Sequence, residues 1–142
     1  MAALSRSALR QRVAAAIAAL SGYDESRVPA GLSFRDPSER RHGVFTVSAG
    51  PTIPGTRQRS GNVHVETSIG VAISWKVKPK DQIASLDAGL DAQEAVSVAV
   101  LGMSLTDMQI NLERISEPVF DGDGEWLRLD LSFLAVHLCA VV

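Results

Sequence analysis

Cysteine occurs once, at Cys139, so an internal disulfide framework is excluded and a reducing compartment fits. Aromatic residues are scarce at 5%: Tyr23, four Phe and two Trp. That is too few for the stacking platforms with which sheets hold nucleic acid, so specific DNA binding is not expected. No apolar run approaches the roughly 20 residues a membrane span needs. The alanine-rich stretch near the N-terminus is broken by Arg10, Gln11 and Arg12 and is not expected to be a signal peptide. Basic residues are almost missing from residues 81–142, which hold 2 of the 14 Lys/Arg against 11 of the 16 Asp/Glu, a net of −9. Residues 1–80 hold the other 12 and 5, a net of +7. Two readings follow: the halves neutralise each other within one fold, or opposite surfaces meet between neighbouring copies, as a head-to-tail ring requires.

Motifs for chemistry are missing as well. His42, His64 and His137 have no second ligand at helical spacing and no nearby cysteine, so no metal site is expected. His64 and Glu66 share a strand face, but no nucleophile or pocket signature joins them. No G-x-S-x-G turn is present. The Gly50–Gly55 spacing lacks the Lys-Ser/Thr that completes a phosphate loop. Asp121-Gly122-Asp123-Gly124 opens like a calcium loop, but Trp126 and a strand follow at once, so a hairpin turn is expected. No cofactor is implied.

What is there is architecture. From Asn62 to Pro79 the odd positions are Val63, Val65, Thr67, Ile69, Val71, Ile73, Trp75 and Val77, and the even ones are mostly polar. Strand side chains alternate between faces, so this is an amphipathic strand, and at about 3.3 Å per residue it spans roughly 50 Å. Such length exceeds a small domain's core and predicts a projecting arm, divided near Gly70. Residues 43–49 predict its hairpin partner. The Pro/Gly-rich run Gly50–Gly61 between them predicts a twelve-residue loop carrying Arg57 and Arg59.

Helices are expected on either side. Leu9, Val13, Ile17 and Leu20 recur at helical spacing over residues 5–21, with Ser5 or Ser7 as cap and Gly22 as stop. A second helix is expected over about residues 80–102, its apolar stripe Ile83, Leu86, Leu90, Val96, Val100 and Leu101, its wet side Asp87, Asp91 and Glu94. Met108 to Leu112 alternates as a strand, and Ile115 falls out of phase, which predicts a bulge near Glu113 or Arg114. Trp126 to Val142 predicts a last strand, apolar on both faces from Leu134 onward and so covered on both by the first helix or a neighbouring subunit. A turn at 121–124 would set Glu117 opposite Arg128.

The expected fold is therefore a single α+β domain over residues 1–142, ordered α-β-β-α-β-β. It has one antiparallel sheet of about four strands, two helices and a long projecting β-hairpin.

This order resembles the tail terminator proteins of long-tailed bacteriophages. The resemblance lies in the helix around Leu9–Leu20, the hairpin Val44–Val77, the helix Asp81–Leu101 and the hairpin Met108–Val142. It rests on order, size and the central hairpin, not on an invariant motif. It implies a non-enzymatic virion protein, made in the host cytoplasm, at the head-proximal end of the tail. Copies would form a hexameric ring that ends the tail tube, meets a neck or head-completion protein and passes double-stranded DNA through its lumen without specific binding. Arg57 and Arg59 would contact the tail tube protein or an adjacent subunit, and Lys76 and Lys78 would pair with Asp87, Asp91 or Glu94 of the next copy. The alternatives are a head–tail neck protein (head-closure or adaptor) and, from another class, a small α+β enzyme or ligand-binding domain.

Overall fold

The structure is a computed structural model that describes residues 4–28, 41–59, 62–103, 108–121 and 124–140, with backbone alone at 55–59, 62–63 and 139–140. Its elements are α1 (Arg6–Ala18), β1 (Asp24–Glu25), β2 (Val44–Arg59), β3 (Asn62–Lys76), α2 (Gln82–Leu101), β4 (Met108–Ile115), β5 (Val119–Asp121) and β6 (Trp126–Ala140).

Helix α1 starts where its chemistry allows. Ser5 is the cap, its Oγ accepting from the Ala8 N–H at 3.1 Å. Leu9, Val13, Ala14 and Ile17 are buried, as their spacing predicts. Gly22 is left-handed (φ 90°), but the helix has already ended at Ala18, so this glycine shapes the following turn. The chain then runs along the edge of the sheet as β1. The Asp24 N–H donates to the Gly43 carbonyl at 3.1 Å, and the Ser26 N–H to the Phe45 carbonyl at 2.8 Å. Gly43 is obligatory here: its φ is +81°, and an added Cβ would stand 2.1 Å from the Gly22 carbonyl oxygen.

The sheet is mixed and six-stranded, in the order β1-β2-β3-β6-β4, with β5 also on β6. The expectation of four antiparallel strands holds for the long ones only. β1 pairs in parallel with β2, and the expected fourth-strand partner is interrupted at 116–118 and resumes as β5. Pro118 in the gap lacks an N–H for the ladder, which accounts for the break. The bulge at Glu113 is where the phase change placed it, with the register shifting between Leu112 and Arg114. Val119, not Glu117, stands opposite Arg128, because Asp121 pairs with Trp126 and the turn is one residue later than its sequence suggests. Arg128 instead meets Asp130 on its own strand, at 3.1 Å.

The expected loop Gly50–Gly61 is mostly strand. β2 runs to Arg59, absorbing its prolines through register shifts between Ala49 and Thr52 and between Pro54 and Gln58. β3 does not divide at Gly70 either. Gly70 pairs with Ser48 on one side and Ser132 on the other. β6 accompanies β3 without a break from Lys76↔Trp126 to Asn62↔Ala140. The projecting two-stranded hairpin is thus replaced by a three-stranded tongue, and core burial reaches out to Val65, Thr67 and His137.

Both helices lie on one face. There α1 and α2 enclose Phe45, Ile69, Val71, Ile73, Leu129 and Phe133. Burying each such side chain contributes about 1.5–3 kcal/mol. On the other face Leu134, Val136 and Leu138 are half-buried, and α1 is not their cover.

Helix α2 departs most from its expected packing. Val96 and Val100 are buried, but Ile83 is 77% exposed, and Leu90 and Leu101 are exposed too. The buried side is built from Ser85, Gly89, Ala92, Gln93, Val96, Ser97 and Val100. Ser85 anchors the first turn, its Oγ accepting from the Lys78 N–H at 3.0 Å and donating to the Asp81 carbonyl at 2.9 Å. At Gly89 an added Cβ would lie 3.3 Å from Leu129 and 3.4 Å from Leu127. Small side chains bring the helix onto the sheet, and the larger apolar ones are left on its outer side.

Candidate functional site

The residues singled out by sequence fall in three places. Arg57 and Arg59 lie near the tip of the tongue, on β2, and their side chains are outside the described residues. Lys76 ends β3 opposite Trp126, with its ammonium 4.7 Å from that indole ring, a cation–π contact. Lys78 borders a cleft of about 260 Å³ together with His42, Trp75, Asp81 and Ser85. Asp87, Asp91 and Glu94 are exposed on α2. Among the described residues the lysines form no ion pair with these acids. Lys78 lies between the end of β3 and the start of α2.

The cleft has defined electrostatics. The His42 ring rests on Trp75, centroids 4.1 Å apart, and its Nδ1 accepts from the Lys76 N–H at 3.1 Å. That bond places the proton of the neutral ring on Nε2. Desolvation first, and the Lys78 charge second, hold the His42 pKa below its ordinary value. Tyr23 packs on the same Trp75 at 6.2 Å, and burial raises its phenol pKa.

A second polar group is fully inside. His137 is 1% exposed, its Nε2 2.8 Å from the Thr67 hydroxyl, which is 2.9 Å from the Thr52 hydroxyl. With Nδ1 donating to the Leu138 carbonyl at 3.2 Å, the direction follows: Thr52 donates to Thr67, and Thr67 to Nε2. The relay crosses β2, β3 and β6 beside the first register shift of β2. A buried Gln93 ties α2 to the sheet: its Nε2 donates to the carbonyls of Ser116 (2.8 Å) and Asp130 (3.2 Å).

The two edges of the sheet differ. Along β2, beyond the end of β1, arginines from α1 bond the backbone. Arg6 donates to the carbonyls of Ala49 and Gly50. Arg10 reaches the Val47 carbonyl at 3.5 Å and Glu25 at 3.4 Å. The other edge, β4–β5, pairs only with β6 among the described residues. Beside it the apolar surface is exposed. Of the exposed large apolar residues, Ile53 stands apart on β2, and Ile83, Leu90, Val98, Leu101, Leu112, Ile115, Val119 and Phe120 all come from α2, β4 and β5.

His64 and Glu66 are exposed on the helix-free face and form no hydrogen bond with each other. Among the described residues no group of three His, Cys, Asp or Glu side chains could hold a metal ion. No described helix is long and apolar enough to cross a membrane. The cation role of Arg6 and Arg10 and the outward Val98 and Phe120 carry no motif. No sequence signal pointed to them. Compared with protein-family models and with curated proteins, the chain matches none.

Proposed function

We propose that this chain is an architectural subunit of tail-terminator type, which assembles side by side into a ring that ends a phage tail tube and joins it to the head or neck. The observation that carries the reading is the tongue of β2, β3 and β6. Three strands of 16, 15 and 15 residues pair almost to their ends, with both helices on one face. At about 3.3 Å per residue this sheet is roughly 50 Å long, and core burial on its helix face follows it out to Val65 and His137. A long sheet with a half-covered second face is suited to line a lumen or meet a neighbour. The role is scaffolding rather than catalysis, in the virion at the head-proximal end of the tail, with DNA passing and no base-specific contact. Arg57 and Arg59, at the far end of the tongue, are the residues assigned to the tube or to an adjacent subunit.

The test is capping. Added to polymerising cognate tail-tube protein, the chain should stop elongation, and an R57E/R59E variant that keeps its circular dichroism and melting temperature should not. Tubes that elongate unchanged with the wild-type chain bound to none of them would contradict the proposal.

A further inference from the structure

Ring assembly requires two different surfaces on one subunit, and the sheet has two different edges. The α1–β2 edge is basic. Described residues 4–28 and 41–44 hold Arg6, Arg10, Arg12, Arg27 and Arg41 against Asp24 and Glu25. Its strand backbone is already engaged in part, since Arg6 and Arg10 donate to the Val47, Ala49 and Gly50 carbonyls. The α2–β4–β5 edge is acidic and apolar. Residues 81–121 carry one Arg among eight Asp/Glu. On the helix-bearing face Leu112 and Ile115 are 39% and Phe120 49% exposed, while Val98 on α2 is 69% exposed. Chains rarely leave such a concentration of large apolar groups beside a strand edge that no other described strand pairs with unless something docks there.

We infer that the α2–β4–β5 edge is the docking surface for the α1–β2 edge of a second copy of this chain. The inference rests on the ring reading and specifies its seam. Charge complementarity selects the occupant: the acidic edge of this chain finds its opposite on the far edge of the same sheet, one sheet-width away. Such a contact is heterologous, so repeated copies extend or close into a ring instead of stopping at a pair. Beside α1 the seam is not a continued backbone ladder, because β1 and the arginine side chains already bond the carbonyls between Gly43 and Gly50. It is a side-chain contact, with Ile115 and Phe120 as its apolar centre, Val98 flanking it on the outer side of α2, and Asp91 and Glu94 toward the arginines of α1. This moves the acids' partner from Lys76 and Lys78 to α1.

The experiment uses the full chain and two variants at exposed positions. V98D/F120D spoils the acidic–apolar edge, and Q11E/R12E spoils the basic one. Sedimentation velocity across a concentration series should show wild-type chains self-associating, more weakly as salt rises. Each variant alone should associate on the order of 100-fold more weakly, since a carboxylate is forced into an apolar or acidic contact. Mixed in equal amounts, the variants should form a dimer and nothing larger, because each retains one sound edge. A wild-type chain that stays monomeric at every concentration overturns this seam, while capping of tail tubes still tests the ring reading separately. V98D/F120D assembling like wild type, or a mixture that stays monomeric beside an assembling wild type, also overturns it.

Discussion

Thr67 is 0% exposed, and its hydroxyl is what keeps the imidazole of His137 satisfied inside the sheet. Replacing Thr67 with valine keeps the shape and strands one buried acceptor, so urea unfolding should report a loss of about 1–3 kcal/mol. Adding His137→Leu removes the stranded ring nitrogens, and the double variant should recover part of that loss. Additive losses would show that the relay is not a unit. His42 sets a pH dependence. Its folded pKa lies below the usual value of about 6.5, so the unfolded chain binds more protons in the window between the two. Stability from this group is therefore present above that window and lost as pH falls through the folded pKa. Lys76, Lys78 and Asp81 are the charged groups that line the cleft around the ring. The urea midpoint should fall between pH 7.5 and 6, and His42→Gln should shrink that fall; an equal fall in both proteins would assign it elsewhere.

Strand β3 was legible almost residue by residue. Val65, Thr67, Ile69, Val71 and Ile73 are buried, as their alternation requires, because a side chain's face on a strand is fixed by parity alone; Ala72 and Ser74, on the expected wet side, are buried as well. The bulge at Glu113 was legible for the same reason: Ile115 had to change face. Helix α2 was not. Periodicity identified a helix, but which stripe packs was decided by how closely the backbone approaches the sheet. Gly89 and Ser85 settle that through contacts with residues about 40 positions away or with the preceding turn. Prolines and glycines between Gly50 and Gly61 suggested a loop because local preference does not know that a long neighbour, β3, will impose pairing. β1 and β5, at two and three residues, carry too little pattern to be seen at all. Two element-scale outcomes follow. Ile83→Lys should change stability by less than about 0.5 kcal/mol, whereas Gly89→Val should cost about 2–4 kcal/mol by driving α2 off Leu127 and Leu129. Gly43→Ala should cost about 2 kcal/mol or more, since the left-handed backbone and the Gly22 carbonyl both oppose a Cβ. Equal costs at Ile83 and Gly89 in denaturant titrations would restore the packing face that sequence spacing suggested.

For the whole molecule, the separation of charge along the chain becomes a separation across the sheet. The +7 of residues 1–80 and the −9 of residues 81–142 could have cancelled through ion pairs between the halves. Both described ion pairs, Arg10–Glu25 and Arg128–Asp130, lie within one half instead. The sequence carried this imbalance openly, but not which edge held which sign. The candidate site was legible only as exposed charge: spacing placed Asp87, Asp91 and Glu94 on the wet side of α2, where they are exposed, but a partner on another copy is not written in one chain's pattern.

The most direct measurement is electron microscopy of cognate tail tubes grown with and without this chain. The account predicts tubes of arrested length bearing one six-fold ring of the protein at one end. Rings absent from tube ends, or tubes that lengthen unchecked with the chain bound along their sides, would contradict it.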